Sequence, residues 1–229
     1  MKRWLRGALA LILKEAKLEL RGRETLTLLF CNALLASALV GIGTSSAFLD
    51  RTNTAKIFPM MLWVVFLLSV TMSVVRAYEQ ELEHRGFEGL LLAGATGAQM
   101  YVAKLLVSTV LFFAHFAVLM MVLAVALNQE LQAQILPLCG VGCLASLALA
   151  ALTVLLSAVA GTSRLRGVLL PLLALPLLFP VFFAGSEMTA QLVINGGLDA
   201  SSPWPAILVC TSALFTVLGI NLFEHAVRD

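Results

Sequence analysis

The sequence predicts an all-α polytopic membrane protein, six transmembrane helices preceded by an interfacial amphipathic N-terminal helix. Three observations predict it. Apolar residues make up 60% of the 229 and charged residues 12%, about half the ~25% charge of an ordinary soluble domain, so the chain cannot cover a water-facing surface. Six runs lack Asp, Glu, Lys and Arg altogether: Thr25–Leu49, Ile57–Val75, Leu105–Gln129, Leu131–Ser163, Gly167–Ser186 and Ala200–Phe223. Each approaches or exceeds the roughly 20 residues a helix needs to cross a ~30 Å hydrocarbon core. None shows the short alternating segments of a membrane β-barrel.

The expected organisation is an amphipathic helix over 1–24, a six-helix domain over 25–224 and a tail over 225–229. Spans are expected near 25–48, 57–76, 101–127, 135–160, 167–186 and 204–223, with a coupling loop at 77–99. In the first segment, helical spacing puts Arg3, Arg6, Lys14, Lys17, Arg21 and Glu24 on one face and Leu5, Leu9, Ile12, Leu13, Ala16 and Leu20 on another. A basic amphipathic helix lies in the interface, with its cations among anionic headgroups of the membrane lipid. Glu15 and Glu19 interrupt the apolar side, which favours a protein neighbour there over lipid; a simple cationic anchor accounts for the basic face equally well. Ala36-Ser37-Ala38 has the form of a signal-peptide cleavage site, but the stretch before the first apolar run is too long and too mixed in charge for a signal peptide.

Orientation follows from the basic residues at span ends. Of fifteen Lys and Arg, Arg51 and Lys56 alone fall on the side opposite the N-terminus. Both termini are therefore expected in the cytoplasm. The small net charge of +2, set by membrane topology, gives no reason to expect a nucleic-acid partner.

Between spans two and three the sequence carries Glu79, Glu81, Glu83 and Glu88, then Leu90, Leu91 and Leu92. It reads as a short acidic helix, a break at Gly86, then a carboxylate before an apolar run. Turning the chain around needs far less, and the carboxylates sit on the side the basic residues mark as cytoplasmic. A charged, partly apolar helix suits docking on a cytosolic partner, where charge complementarity sets register; a solvated loop is the plain alternative.

In span three His115 is the ionisable side chain set deep in an apolar run, a possible intramembrane polar site. It is either functional or a neutral imidazole satisfied by an interhelical hydrogen bond. Span four repeats small residues at Gly142, Ser146 and Ala150, a face suited to close approach by another helix or a second copy. Span five carries Pro171, Pro176 and Pro180, each lacking a backbone donor, so a kinked or broken helix is expected, as hinge or as shape.

The four cysteines lie in apolar runs and are expected to be buried. Cys139 and Cys143 share a helix face, but no further ligands stand near, so no metal is expected. There is no phosphate-binding G-x-x-x-x-G-K-[ST] loop, no Ser/His/Asp set and no H-E-x-x-H helix. A non-catalytic chain is the reading, with any ATPase activity on a partner.

These residues resemble a known family. The opening Lys14-Glu15-x-x-Leu18-Glu19-Leu20-Arg21-x-Arg23-Glu24, the segment Glu79-x-Glu81…Gly86-x-Glu88-x-Leu90-Leu91-Leu92, and above all Arg166-Gly167-x-Leu169-Leu170-Pro171-Leu172-x-x-x-Pro176-Leu177-x-x-Pro180-Val181 are similar to haem exporter protein B, the CcmB family. Where family members often have prolines after the leucine run, Ala93-Gly94-Ala95 stands here. The resemblance implies a bundle like those of ABC-2/type V exporter permeases in the bacterial inner membrane. It implies a permease subunit of the cytochrome c maturation transporter. It also implies partners: a cytosolic ABC ATPase (CcmA-like), a haem-handling membrane protein (CcmC-like), a small membrane subunit (CcmD-like), a periplasmic haem chaperone (CcmE-like) and a second copy. ATP would be held by the ATPase and haem handled by the complex, with no cofactor on this chain. The same architecture exporting a polysaccharide, drug or lipid is the alternative, and a proton-coupled carrier built on His115 a third reading.

Overall fold

The computed structural model describes residues 2–22, 24–46, 51–84, 96–159, 166–199 and 201–228. Among them lie seven helices and no strand: α1 (Lys2–Gly22), α2 (Glu24–Ser46), α3 (Arg51–His84), α4 (Gly97–Ala126), α5 (Ile135–Val159), α6 (Arg166–Asn195) and α7 (Trp204–Arg228). Helices α2 to α7 each hold a stretch long and apolar enough to cross a membrane. The protein is an all-helical, polytopic membrane protein.

The bundle is built around α5, which packs against α3, α4, α6 and α7. Its sequence explains that position. Ala145, Ser146, Ala148, Ala150 and Ala151 are fully buried, and small side chains let helix axes close up where lipid supplies no hydrophobic drive. At Gly142 a Cβ would run into the Phe116 ring of α4. The small-residue face of span four is thus used inside this chain, not between copies.

Two aromatic side chains tie the remaining spans together. Trp63 on α3 donates its indole N–H to Thr189 Oγ1 on α6 at 2.9 Å, and Gly185 makes room for its ring. Tyr101 on α4 is fully buried, with its hydroxyl within donating distance of the carbonyls of Ala151 on α5 (3.2 Å) and Phe215 on α7 (3.3 Å); Gly219 clears space for the ring. A buried Tyr or Trp needs a partner for its polar atom, and here each partner sits on a different helix.

One end of the bundle carries the α4–α5 and α6–α7 connections. Asn128 turns the first with φ 52°, a conformation Asn tolerates through local hydrogen bonding, and Gln129 Nε2 donates to Thr54 Oγ1 on α3 at 2.9 Å. Asp199 orders the second. Its Oδ1 accepts from the Ser201 backbone N–H (3.0 Å) and hydroxyl (2.9 Å), and these bonds hold its carboxyl below the ordinary carboxylate value.

Three expectations change. Cys31, Cys143 and Cys210 are exposed on the bundle side and Cys139 is half-buried; the core positions go to alanine, serine and the aromatics instead. Of the two forms foreseen for span five, kinked or broken, the broken one is not found: α6 runs continuously past all three prolines to Asn195, since the charge at Glu187 does not stop a helix and Gly196, at φ 75°, does. Likewise the acidic stretch after span two is no separate helix, because α3 continues through it to His84.

Candidate functional site

Of the residues singled out by sequence, Glu79, Glu81 and Glu83 belong to the end of α3 opposite those two connections, whereas His115 and the prolines of α6 stand elsewhere. Helix α3 is 34 residues long, about 51 Å at 1.5 Å per residue, while the charge-free run that it carries ends at Val75. The helix goes on from Arg76 to His84, about two and a half turns. Nothing from Val74 to His84 breaks a helix: the run V-V-R-A-Y-E-Q-E-L-E-H has neither Gly nor Pro. Glu79, Glu81 and Glu83 therefore belong to a continuous helical extension of a membrane helix. Glu88, Leu90, Leu91 and Leu92 lie outside the described residues.

Carboxylates at this end of α3 are locally unfavourable. A helix C-terminus carries partial negative charge, and an acidic residue in the last turn costs about 0.3–1 kcal/mol where a basic one would gain it. Glu81 and Glu83 occupy that last turn.

The chain re-enters the bundle through a well-made joint. Thr96 caps α4, its Oγ1 accepting from the Gln99 N–H (3.3 Å) while Gln99 Oε1 accepts from the Thr96 N–H (3.0 Å). This reciprocal capping box fixes where α4 begins. Helix α1 packs along α4, and Gly7 lies over the Gln99 side chain so closely that a Cβ would come 3.0 Å from Nε2. Between its two ends α1 shows three faces. Ala8 is buried and Glu15 and Glu19 are half-buried; Leu9 and Leu13 are exposed, as are Lys14 and Lys17. Glu15 is held at 3.6 Å from Lys14. The carboxylates that interrupt the apolar face thus look towards the bundle, and the remaining leucines and lysines suit an interfacial position.

His115 is placed elsewhere, in the middle of α4. It is buried, stacked on Phe66 at 5.8 Å, within an aromatic group that includes Phe116 and Trp63. Neither ring nitrogen has a hydrogen-bond partner, so the interhelical hydrogen bond foreseen for it is not made here. Pro176 and Pro180 are exposed on α6; for Pro171 only the helical backbone is described. The acidic end of α3, His115 and the α6 prolines are therefore not one pocket. They are linked in series, because Trp63 lies one turn from Phe66 on α3 and bonds directly to α6.

Sequence reasoning missed the joint itself. Thr96-x-x-Gln99 before an apolar run is a capping signature, and Tyr101 and Trp63 were legible as polar-tipped aromatics inside apolar spans. Their partners were not. Among the described residues no cluster of three or more metal-binding side chains occurs.

The family described as CcmB protein matches residues 6–229. The chain belongs to the CcmB family. Its role is accordingly that of a permease subunit of the ATP-binding cassette transporter for cytochrome c biogenesis, and the CcmB family is one of membrane permeases rather than enzymes. No curated protein matches the chain.

Proposed function

We propose that this CcmB-family chain receives mechanical force from a separate cytosolic ATPase at the acidic end of α3 and passes it through the bundle, driving haem export or the release of a haem-loaded chaperone. The observation that carries the reading is the continuity of α3 from its apolar window into Glu79, Glu81 and Glu83. A helix continuous between dock and membrane moves as a lever. The indole of Trp63 hands that movement to α6 through Thr189, and Pro171, Pro176 and Pro180 leave α6 short of backbone donors where it must deform.

In this reading Glu88 and Leu90–Leu92 complete the dock, and both termini and α1 lie on the cytoplasmic side of a bacterial inner membrane. ATP stays on the CcmA-like partner, and this chain needs no cofactor of its own. Haem reaches the complex through CcmC-like and CcmD-like membrane subunits and leaves with a CcmE-like chaperone, a second copy of this chain completing the assembly. His115, with both nitrogens unpaired, is a position where a second state of the bundle supplies a partner.

The test is charge reversal. Replacing Glu79, Glu81 and Glu88 together by Lys should cut the ATPase recovered with the tagged chain from detergent extracts at least tenfold, and c-type cytochromes should be lost with it. Recovery at the wild-type level would remove the acidic segment as the dock.

A further inference from the structure

His115 carries two polar atoms that its own helix cannot satisfy. The side chain is 4% exposed, and among the described residues neither Nδ1 nor Nε2 has a hydrogen-bond partner. The hydroxyls of Ser37 and Ser146 are unpaired too, but a hydroxyl need only rotate to reach a carbonyl of its own previous turn, as Ser69, Ser73 and Thr109 do. An imidazole has no such option. In either neutral tautomer it presents one donor and one acceptor, and a partner has to come from another helix. Leaving them unmet is costly.

The face of α3 that meets α4 is stepped. Trp63, Phe66, Ser69 and Ser73 follow one another at three- or four-residue spacing, and all four are buried. Trp63 and Phe66 both touch the Phe116 ring, at 5.6 and 5.3 Å between centroids, and Phe66 also covers the His115 ring at 5.8 Å. One turn nearer the acidic end, the Ser69 hydroxyl meets Asn32 Oδ1 of α2 at 3.2 Å and its own Val65 carbonyl at 2.8 Å. One turn farther still, Ser73 donates to the Ser69 carbonyl at 3.0 Å.

We propose that α3 has a second register, one turn closer to the end that carries the α4–α5 and α6–α7 connections, in which the imidazole of His115 hydrogen-bonds the Ser69 hydroxyl. The step exchanges contacts in order. Phe66 takes the place of Trp63 on Phe116, Ser73 takes that of Ser69 opposite Asn32, and Ser69 takes that of Phe66 opposite His115. Ser69 keeps its bond to Val65 and offers its lone pairs to the imidazole N–H. Helix α6 follows, because Trp63 stays bonded to Thr189. The Gln129 bond to Thr54 gives way at the rim of the bundle, where water replaces it. Packed helices move by discrete one-turn steps of about 5.4 Å rather than continuously. The direction is that of a push on the acidic end of α3, so the inference rests on the reading of α3 as the driven helix and names the contact that the driven state makes. His115 is then a positioning residue for that state.

Cysteine pairs read the register, in the full complex in its native membranes and with Cys31, Cys139, Cys143 and Cys210 changed to Ser. Oxidation should join Asn32→Cys to Ser69→Cys at rest. With ATP bound and not hydrolysed, the yield for Asn32→Cys with Ser73→Cys should rise at least tenfold, measured by mass spectrometry of the linked peptides. His115→Phe should abolish that rise and lower c-type cytochromes at least tenfold, yet raise the melting temperature of the resting chain by about 2–4 °C, since its unpaired nitrogens are gone. Ser69→Ala should likewise abolish the rise, and Ser69→Thr should restore it. The proposal is overturned by a lower melting temperature for His115→Phe, by wild-type cytochrome levels in that variant, or by the same crosslinks with and without ATP in complexes that retain the ATPase. That last result would leave the acidic dock standing, whereas wild-type ATPase recovery after charge reversal would remove the dock without touching the register.

Discussion

Helices α2 and α5 are both charge-free apolar spans, and they meet opposite fates. In the α2 window 17% of residues are buried inside the chain, against 67% in the α5 window. Hydrophobicity puts both in the membrane and then stops discriminating, because in lipid an apolar side chain gains nothing by facing protein. Side-chain size does the sorting. The turns of α5 offer Gly142, Ala145, Ser146, Ala148 and Ala150 to four neighbours. Helix α2 touches the bundle mainly through Leu29, Ala33 and Ser37, with Gly41 against Ala126 and Asn32 accepting from Ser69 at 3.2 Å. Leu35, Leu39 and Ile42 face away.

The contrast is most exposed to failure at its glycines. Gly142→Leu should destabilise the protein by about 3 kcal/mol, because the new side chain meets the Phe116 ring. Gly43→Leu on α2 should change stability by no more than about 0.5 kcal/mol, since a Cβ there meets nothing within 4 Å. Urea or SDS unfolding in mixed micelles measures both, and equal effects would end the size argument. Next in magnitude, Trp63→Phe should cost about 1–3 kcal/mol by leaving the fully buried Thr189 hydroxyl without its donor. Adding Thr189→Val should recover part of that loss, whereas simple additivity would mean the indole bond does not couple α3 to α6. Leu35→Ala, on the outer face of α2, should fall below about 0.5 kcal/mol; a larger value when the chain is assembled with its partners would show that another chain covers α2.

The smallest effect concerns Asp199. Ser201 holds its carboxyl below the ordinary value of 3.8. A depressed folded-state value means that the turn's contribution is complete above the unfolded-state pKa and is lost as pH falls through the folded one. Carbon NMR of Asp199 should give a midpoint below 3.8, and a midpoint at or above it would show that the Ser201 contacts do not persist in solution.

Much of the candidate site was legible, for identifiable reasons. The acidic run after span two stands out because carboxylates are scarce in this chain, and the prolines of span five because they lack donors. What misled was treating charge as a boundary. Charge bears on where a membrane surface lies; glycine and proline bear on where a helix ends. So α3 runs on through its glutamates and α6 through Glu187. The unpaired nitrogens of His115 and the pairing of Trp63 with Thr189, 126 residues apart in sequence, had no local signal.

By itself the sequence determined that the chain lives in lipid, how many times it can cross, which end gathers positive charge and which family it resembles. These follow from transfer free energies and motif spacing, which are summed along the chain. The tertiary structure decided which span is central, which small residues face which rings, and that α6 meets Trp63 of α3 at Gly185 and Thr189. Those depend on how helices of similar hydrophobicity fit one another, and fit is settled by shape and by the few polar atoms that find a partner across the bundle.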